Sequence, residues 1–159
     1  MIKPPDSPAL FFRPLIKLDV QTLFEEAFSD PETTRYLQWD THHTIDETQI
    51  LVKEMIDKHK RGEKYFWIFE RISNREPVGL VSVHHDGLTA WIGFIIFKKE
   101  RRKGYGKNLL SALESSVLSN FDSAKAKVAL ANRGSIALLA SCGWISSFRN
   151  DHFEIFNSP

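Results

Sequence analysis

Cysteine is almost absent from this chain: one residue, Cys142, among 159. A lone thiol excludes an internal disulfide and any multi-cysteine zinc site, and its setting between Ser141 and Gly143 suits a small buried side chain better than a nucleophile. Net charge is nearly absent as well, since 21 Lys plus Arg stand against 20 Asp plus Glu, a balance of +1. Such a chain is not drawn to a polyanion by its overall charge. No stretch of about 18 uncharged apolar residues occurs, so the helical membrane-span pattern is missing. The Pro-rich start MIKPPDSPAL lacks the apolar core of a signal peptide. These absences lead to the expectation of a soluble, cytoplasmic protein without a membrane partner. Adjacent His42 and His43 in WDTHH have no further Cys or His at a ligand spacing, and no metal is expected.

What is present is a foldable core. The 42% apolar and 12% aromatic content exceeds that of disordered chains, and the length suits one domain spanning residues 1–159, with 1–8 expected to be a flexible terminus. ALFFRPL reads as a first strand. Val20, Leu23, Phe24, Ala27 and Phe28 then share one helical face behind Asp19 as N-cap, and Asp30-Pro31 stops that helix. Thr44 with Glu47 three residues later forms a capping box for a second helix running to about Gly62. Between Lys64 and Lys99 three β-rich runs, separated by SNRE and HDGL, predict an antiparallel meander. Leu109, Leu110, Leu113 and Val117 predict an amphipathic helix over about 106–119. A strand at AKVAL, a short helix from Ser135 to Cys142 capped by Gly143, and two strands around Arg149 to Asp151 close the chain. The order is β-α-α-β-β-β-α-β-α-β-β, an α/β (α+β) fold with six to seven mostly antiparallel strands and about four helices.

One stretch within this order is chemically unusual. KKERRKGYG, residues 98–106, places five cations around one acid and then two glycines at a helix start. Backbone N–H groups freed of side chains at such a turn, together with the positive end of a helix dipole, suit an anion such as a pyrophosphate. A P-loop would need glycine where Arg101 stands, and a dinucleotide fingerprint would need a third glycine where Leu109 stands. The remaining pattern, Arg101-x-x-Gly104-x-Gly106, is weak alone, because a basic turn before a helix is often just a solvated loop.

RRKGYG in this position resembles the pyrophosphate loop of the GNAT superfamily of acyl-CoA-dependent N-acetyltransferases, whose form is Arg/Gln-x-x-Gly-x-Gly/Ala. AWIGFIIFKKERRKGYG is similar to that family's fourth strand entering the loop. ANRGSIALLASCGW is similar to its fifth strand, Asn-x-x-Ser helix start and Gly-aromatic ending. The likeness runs from about Phe12 to Phe156, and FRPL and RYLQW resemble the RimJ/RimL-like branch, which acetylates protein N-termini and assorted amines.

The resemblance implies acetyl-CoA as co-substrate and no metal. It implies pyrophosphate binding by backbone amides from Arg101 to Lys107, with Arg101, Arg102, Lys103 and Lys107 adding charge; Tyr105 lies within the same loop. Arg102 stands where the family often has another glycine. The pantetheine arm is expected along unpaired backbone of Phe94, Ile95 and Ile96, with Asn132 adding an amide, and an N–H near Ile95 stabilising the oxyanion. Many relatives place a tyrosine acid at the position of Leu139; Ser135 is the substitute expected here, or else simply the helix cap. A glutamate base is common where Trp91 stands. His84 and Asp86, on one strand face, are candidates to relay a proton through water, or else part of a solvated hairpin turn. Tyr36, Trp39 and Trp91 are candidates to line the amine pocket, or else core. The expected partners are acetyl-CoA and an amine acceptor, a peptide N-terminus or a small molecule, used in a ternary complex without an acyl-enzyme, by a monomer or homodimer. The alternatives are a CoA-binding sensor without turnover and, third, a nucleic-acid binder using KKERRK.

Overall fold

The computed structural model describes residues 2–159. Its elements are β1 (Leu10–Pro14), α1 (Val20–Leu23), α2 (Pro31–Thr34), α3 (Ile45–Lys60), β2 (Tyr65–Arg71), β3 (Pro77–Asp86), β4 (Thr89–Ile96), α4 (Tyr105–Ser116), β5 (Ser123–Ala129), α5 (Arg133–Ser141), β6 (Ile145–Arg149) and β7 (Phe153–Asn157). All seven strands form one sheet in the order β1-β2-β3-β4-β5-β7-β6. Every neighbouring pair is antiparallel except β4 with β5, which α4 connects as a crossover.

Alternation along the strands sorts side chains onto two faces. On one face Trp67, Val81, Val83, Ala90, Ile92 and Ala126 pack against Leu109, Leu110 and Leu113 of α4 and Leu139 of α5. On the other, Phe66, Ile68, Leu80 and Ile95 meet Leu23, Ala27 and Phe28 and then Val52 and Met55 of α3. The predicted apolar face of α4 is therefore the buried one, as the 3.6-residue period requires. The N-terminal stretch lies against this core: Ile2 packs on it, and Asp6 N–H donates to Ser116 Oγ at 3.1 Å.

The helix expected behind Asp19 differs in two ways. Asp19 does not cap α1; its carboxylate takes Arg13 Nη2 at 2.7 Å and the Ile16 N–H at 2.9 Å. Buried at this edge, Asp19 holds the Arg13 guanidinium well above its ordinary pKa, and Arg13 Nε also reaches Glu70 at 2.6 Å. The second difference is a π-turn over Phe24–Phe28 that closes with Ser29 N–H on Phe24 O at 3.0 Å. Asp30 and Pro31 end this segment as expected and also start the one-turn α2, where Asp30 Oδ1 accepts the Glu32 N–H. The predicted capping box of α3 is present, with Glu47 Oε2 accepting the N–H groups of Thr44 and His43 at 2.9 and 2.6 Å.

Candidate functional site

The ladder between β4 and β5 lasts only from Thr89 opposite Ser123 to Ile92 opposite Ala126. Past that point β4 stays with β3 as far as Ile96, while β5 stays with β7 as far as Ala129. The two strands separate, and a cleft of about 1520 Å³ opens through the gap. Phe97 N–H donates to Val78 O at 2.9 Å, so by antiparallel alternation Ile95 also bonds toward β3, whereas the N–H and C=O of Phe94 and Ile96 point into the gap. This corrects the placement of an oxyanion donor near Ile95: its backbone belongs to the β3 ladder, opposite Leu80, and its side chain is buried on the α3 face.

The basic loop follows β4 directly. Gly104 sits at φ +87° as the N-cap of α4, and a Cβ there would meet nothing within 4 Å. The first intrahelical bond runs from Asn108 N–H to Gly104 O at 3.3 Å, which leaves the N–H groups of Tyr105, Gly106 and Lys107 without intrahelical partners. Arg102 holds φ +60°, a left-handed conformation that favours glycine. Gly106 has a packing task besides the one expected. A Cβ there would lie 2.5 Å from Leu138 Cδ2 and 3.3 Å from Ile96 Cδ1, so its bareness lets α4, α5 and β4 close together.

Two further corrections concern the loop's cations. Arg101 is not free for phosphate: Nε donates to Ile96 O at 3.0 Å, Nη2 to Thr33 Oγ1 at 2.9 Å, and its own N–H to Lys98 O. It ties the loop to β4 and α2. Lys103 lies outside the cleft lining, with Nζ 3.3 Å from buried Glu100. Lys98 and Lys99 pair with Glu32 and Glu26, each at 2.9 Å. Of the charges once open to a nucleic-acid reading, most are thus engaged within the protein. Arg102 and Lys107 remain exposed on the cleft.

Across the gap, Asn132 Oδ1 accepts the Ser135 N–H at 3.3 Å and is the N-cap of α5. Ser135 is therefore not the cap, and its hydroxyl is left to the cleft that it lines.

The family model "Acetyltransferase (GNAT) domain" matches residues 9–145. The chain belongs to the GNAT acetyltransferase family. No curated protein matches it by sequence. Among solved structures it is similar to RimL, a ribosomal L7/L12 alpha-N-protein acetyltransferase in complex with coenzyme A, at TM-score 0.81 and 17% identity over 96% of this chain and 95% of that one. It is also similar to the Vibrio cholerae spermidine N-acetyltransferase in complex with CoA and spermine, at TM-score 0.73 and 20% identity over 94% and 93%. A third is the microcin C7 self-immunity acetyltransferase MccE in complex with acetyl-CoA and AMP, at TM-score 0.79 and 13% identity over 95% and 92%. At these identities the likeness is one of fold.

In this GNAT domain the opposite mouth of the cleft is framed by α2, α3 and the loop between them. Tyr36 Oη donates to Ala131 O at 3.0 Å, bridging that loop to the end of β5. Trp39 stands edge-on to Phe28, 5.4 Å between ring centres, and its Nε1 is buried with no hydrogen-bond partner among the described residues. Trp91 and His84 both line the cleft, with rings stacked at 6.5 Å and 11°. Burial pushes the His84 imidazole below its ordinary pKa, with Lys64 and His85 acting in the same direction and Asp86 against it. Asp86 itself is exposed at the β3–β4 hairpin, paired with Thr89 and outside the cleft lining, so the structure does not place it with the other candidates.

Leu139 is fully buried in the core while Leu138 lines the cleft. The missing tyrosine at 139 therefore falls on a core position. His42 shares a hydrogen bond with Thr48, its Nδ1 2.7 Å from Oγ1, and no cluster of three metal-ligating groups exists among the described residues. Among them, too, no helix is long and apolar enough to cross a membrane.

What sequence reasoning missed is a row that runs across four strands. Tyr65 pairs with Val83, so Lys64 stands beside His84; His84 pairs with Trp91, and Trp91 with Lys125. Lys125 Nζ lies 5.7 Å from the Trp91 ring. No spacing along the chain reveals this line, because it depends on strand register.

Proposed function

We propose that the protein transfers the acetyl group of acetyl-CoA to an amine entering from the α2–α3 side, both substrates being bound at once. The observation that carries this reading is the parting of β4 and β5 beyond Ile92 and Ala126, directly beside the unpartnered N–H groups at the start of α4. A diphosphate fits the N–H groups of residues 102–107 and the exposed cations Arg102 and Lys107, since charge-assisted bonds to backbone donors need no side-chain rearrangement. The open N–H and C=O of Phe94 and the N–H of Ile96 fit an extended amide-bearing arm in the manner of an added strand.

Acetyl-CoA supplies an activated acetyl thioester. The N–H groups of Phe94 and Ile96 are the donors available where negative charge gathers on the carbonyl oxygen. Ser135 is positioned to return a proton to the thiol side. His84, whose imidazole burial holds below its ordinary pKa, would take the proton of the incoming ammonium through a chain of waters along the cleft rather than by direct contact. The expected gain from holding both reactants in line exceeds that of any single group.

The test has two stages. Acetyl-CoA should raise the midpoint of thermal unfolding by mass action, and a panel of peptide and small amines should then produce free thiol. Stabilisation without thiol release from any amine would favour a CoA-binding module over an enzyme.

A further inference from the structure

The charges lining the cleft are lopsided. Twelve ionisable side chains other than tyrosines line it, and eight are Arg or Lys: Arg35, Lys58, Lys64, Arg101, Arg102, Lys107, Lys127 and Arg133. Only Glu32, Glu54 and Glu100 are acidic, and each is already in an ion pair: with Lys98 at 2.9 Å, with Lys58 at 2.8 Å, and with Arg71 at 3.1 Å. No lining carboxylate among the described residues is left to hold a second ammonium. The loop cations serve the cofactor end. Lys58 is matched by Glu54, so Arg35, Lys64, Lys127 and Arg133 remain on the lining with no ion-pair partner among the described residues.

Lys64 is the most telling of these. It immediately precedes β2, with Nζ 5.5 Å from the Phe66 ring and no ion-pair partner among the described residues. Burial and the neighbouring Lys58 both depress its pKa. An uncompensated, partly buried ammonium is unfavourable in the free protein, and an incoming anion removes that cost. Beside it the stacked His84 and Trp91 rings form a flat floor with Lys125 over the far edge. Trp39 Nε1 adds a buried donor without a partner.

From this arrangement we infer that the acceptor is an amine carrying an anionic group, carboxylate or phosphate, which settles on the Lys64–His84–Trp91 floor. The inference deepens the acetyltransfer reading and rests on it for the identity of the amine. Trp91 and Phe94 are three residues apart on one strand, about 10 Å at strand rise. The anionic group therefore lies roughly 10 Å from the reacting amine, the reach of an acidic third or fourth residue in an extended peptide with a free N-terminus. A polyamine, with cations at that distance, meets Lys64 instead of a carboxylate.

Isothermal titration on the CoA-saturated protein tests this without requiring turnover. The probes are Ser-Ala-Asp-Glu amide, Ser-Ala-Lys-Lys amide, spermidine and 6-aminohexyl phosphate. The acidic peptide, the amino-phosphate or both should bind at least about tenfold tighter than the two cationic probes, with the gap narrowing as salt rises. Whichever of the two anionic probes binds identifies peptide carboxylate or phosphate as the source. Lys64→Gln should abolish the preference, Lys64→Arg should keep it, and both should leave CoA affinity unchanged. Equal binding of all probes, tighter binding of a cationic one, or binding of none overturns the inference. Failure of thiol release with acetyl-CoA, measured separately, would count against acetyl transfer itself and leave this charge preference standing or falling on its own data.

Discussion

Arg101 Nε lies 3.0 Å from the carbonyl oxygen of Ile96, so the side chain that a sequence pattern assigns to the anion instead fastens the anion loop to the strand beside it. The same guanidinium reaches Thr33 Oγ1 at 2.9 Å. Arg101→Ala should therefore weaken acetyl-CoA binding about tenfold, about 1.4 kcal/mol, by loosening the loop. Arg102→Ala should weaken it through charge. Titration at several salt concentrations separates the two: the salt slope falls in Arg102→Ala and stays near wild type in Arg101→Ala.

Gly106 and Leu138 make a second test. A Cβ at 106 would stand 2.5 Å from Leu138 Cδ2, an overpacking that typically costs about 1–3 kcal/mol. Denaturant unfolding of Gly106→Ala should show a loss of that size, partly restored when Leu138→Ala is added. A fully additive pair would show that the helices do not meet through these two residues.

Asn132 and Ser135 divide the work at the start of α5. Asn132→Ala removes the acceptor for the Ser135 N–H and should cost about 1 kcal/mol of stability. Ser135→Ala leaves that cap intact. Its thermal midpoint and acetyl-CoA affinity should stay near wild type, while kcat falls about 100-fold if its hydroxyl moves a proton. An unchanged kcat removes the role.

The imidazole of His84 is held below its ordinary value near 6.5 by burial first, then by Lys64 and His85, with Asp86 opposing. Lys58 and Glu54, ion-paired at 2.8 Å on α3, also line this part of the cleft. A base must be neutral, so the acid limb of kcat/KM should lie below pH 6.5. Lys64→Gln removes a cation that disfavours the imidazolium and should move that limb upward. The same direction holds for stability: the unfolded chain binds the proton more readily, so His84, with His42 and His59, which are also shifted down, destabilises the fold as pH drops below about 6.5. Unfolding midpoints across pH 5 to 8 check this.

Much of the architecture was legible because it follows local periodicity. The apolar rows of α3 and α4, the Thr44–Glu47 box and the three-strand meander each depend on neighbours within a few residues. Gly104 was legible for the same reason, as a residue without a side chain at a helix start. What the chain concealed depends on register and on contacts between distant residues. Gly106 looked like part of the anion cradle, and only the approach of Leu138 from α5 reveals its packing role. Asp19 looked like a cap until Arg13 and the Ile16 N–H claimed its carboxylate. Ile95 looked like an oxyanion donor because which alternate backbone groups face the gap is decided by the pairing of β3 with β4. The Lys64–His84–Trp91–Lys125 row joins four strands that lie up to 61 positions apart in the sequence, beyond any motif.

The most direct test of the account is an amide chemical-shift titration of the protein with coenzyme A. Binding at the parted strands predicts that the N–H signals of Gly104, Tyr105, Gly106 and Lys107, together with those of Phe94 and Ile96, shift as one saturable set while Ile95 changes least among the β4 neighbours. Shifts that leave the α4 start untouched, or that gather elsewhere on the sheet, would contradict it.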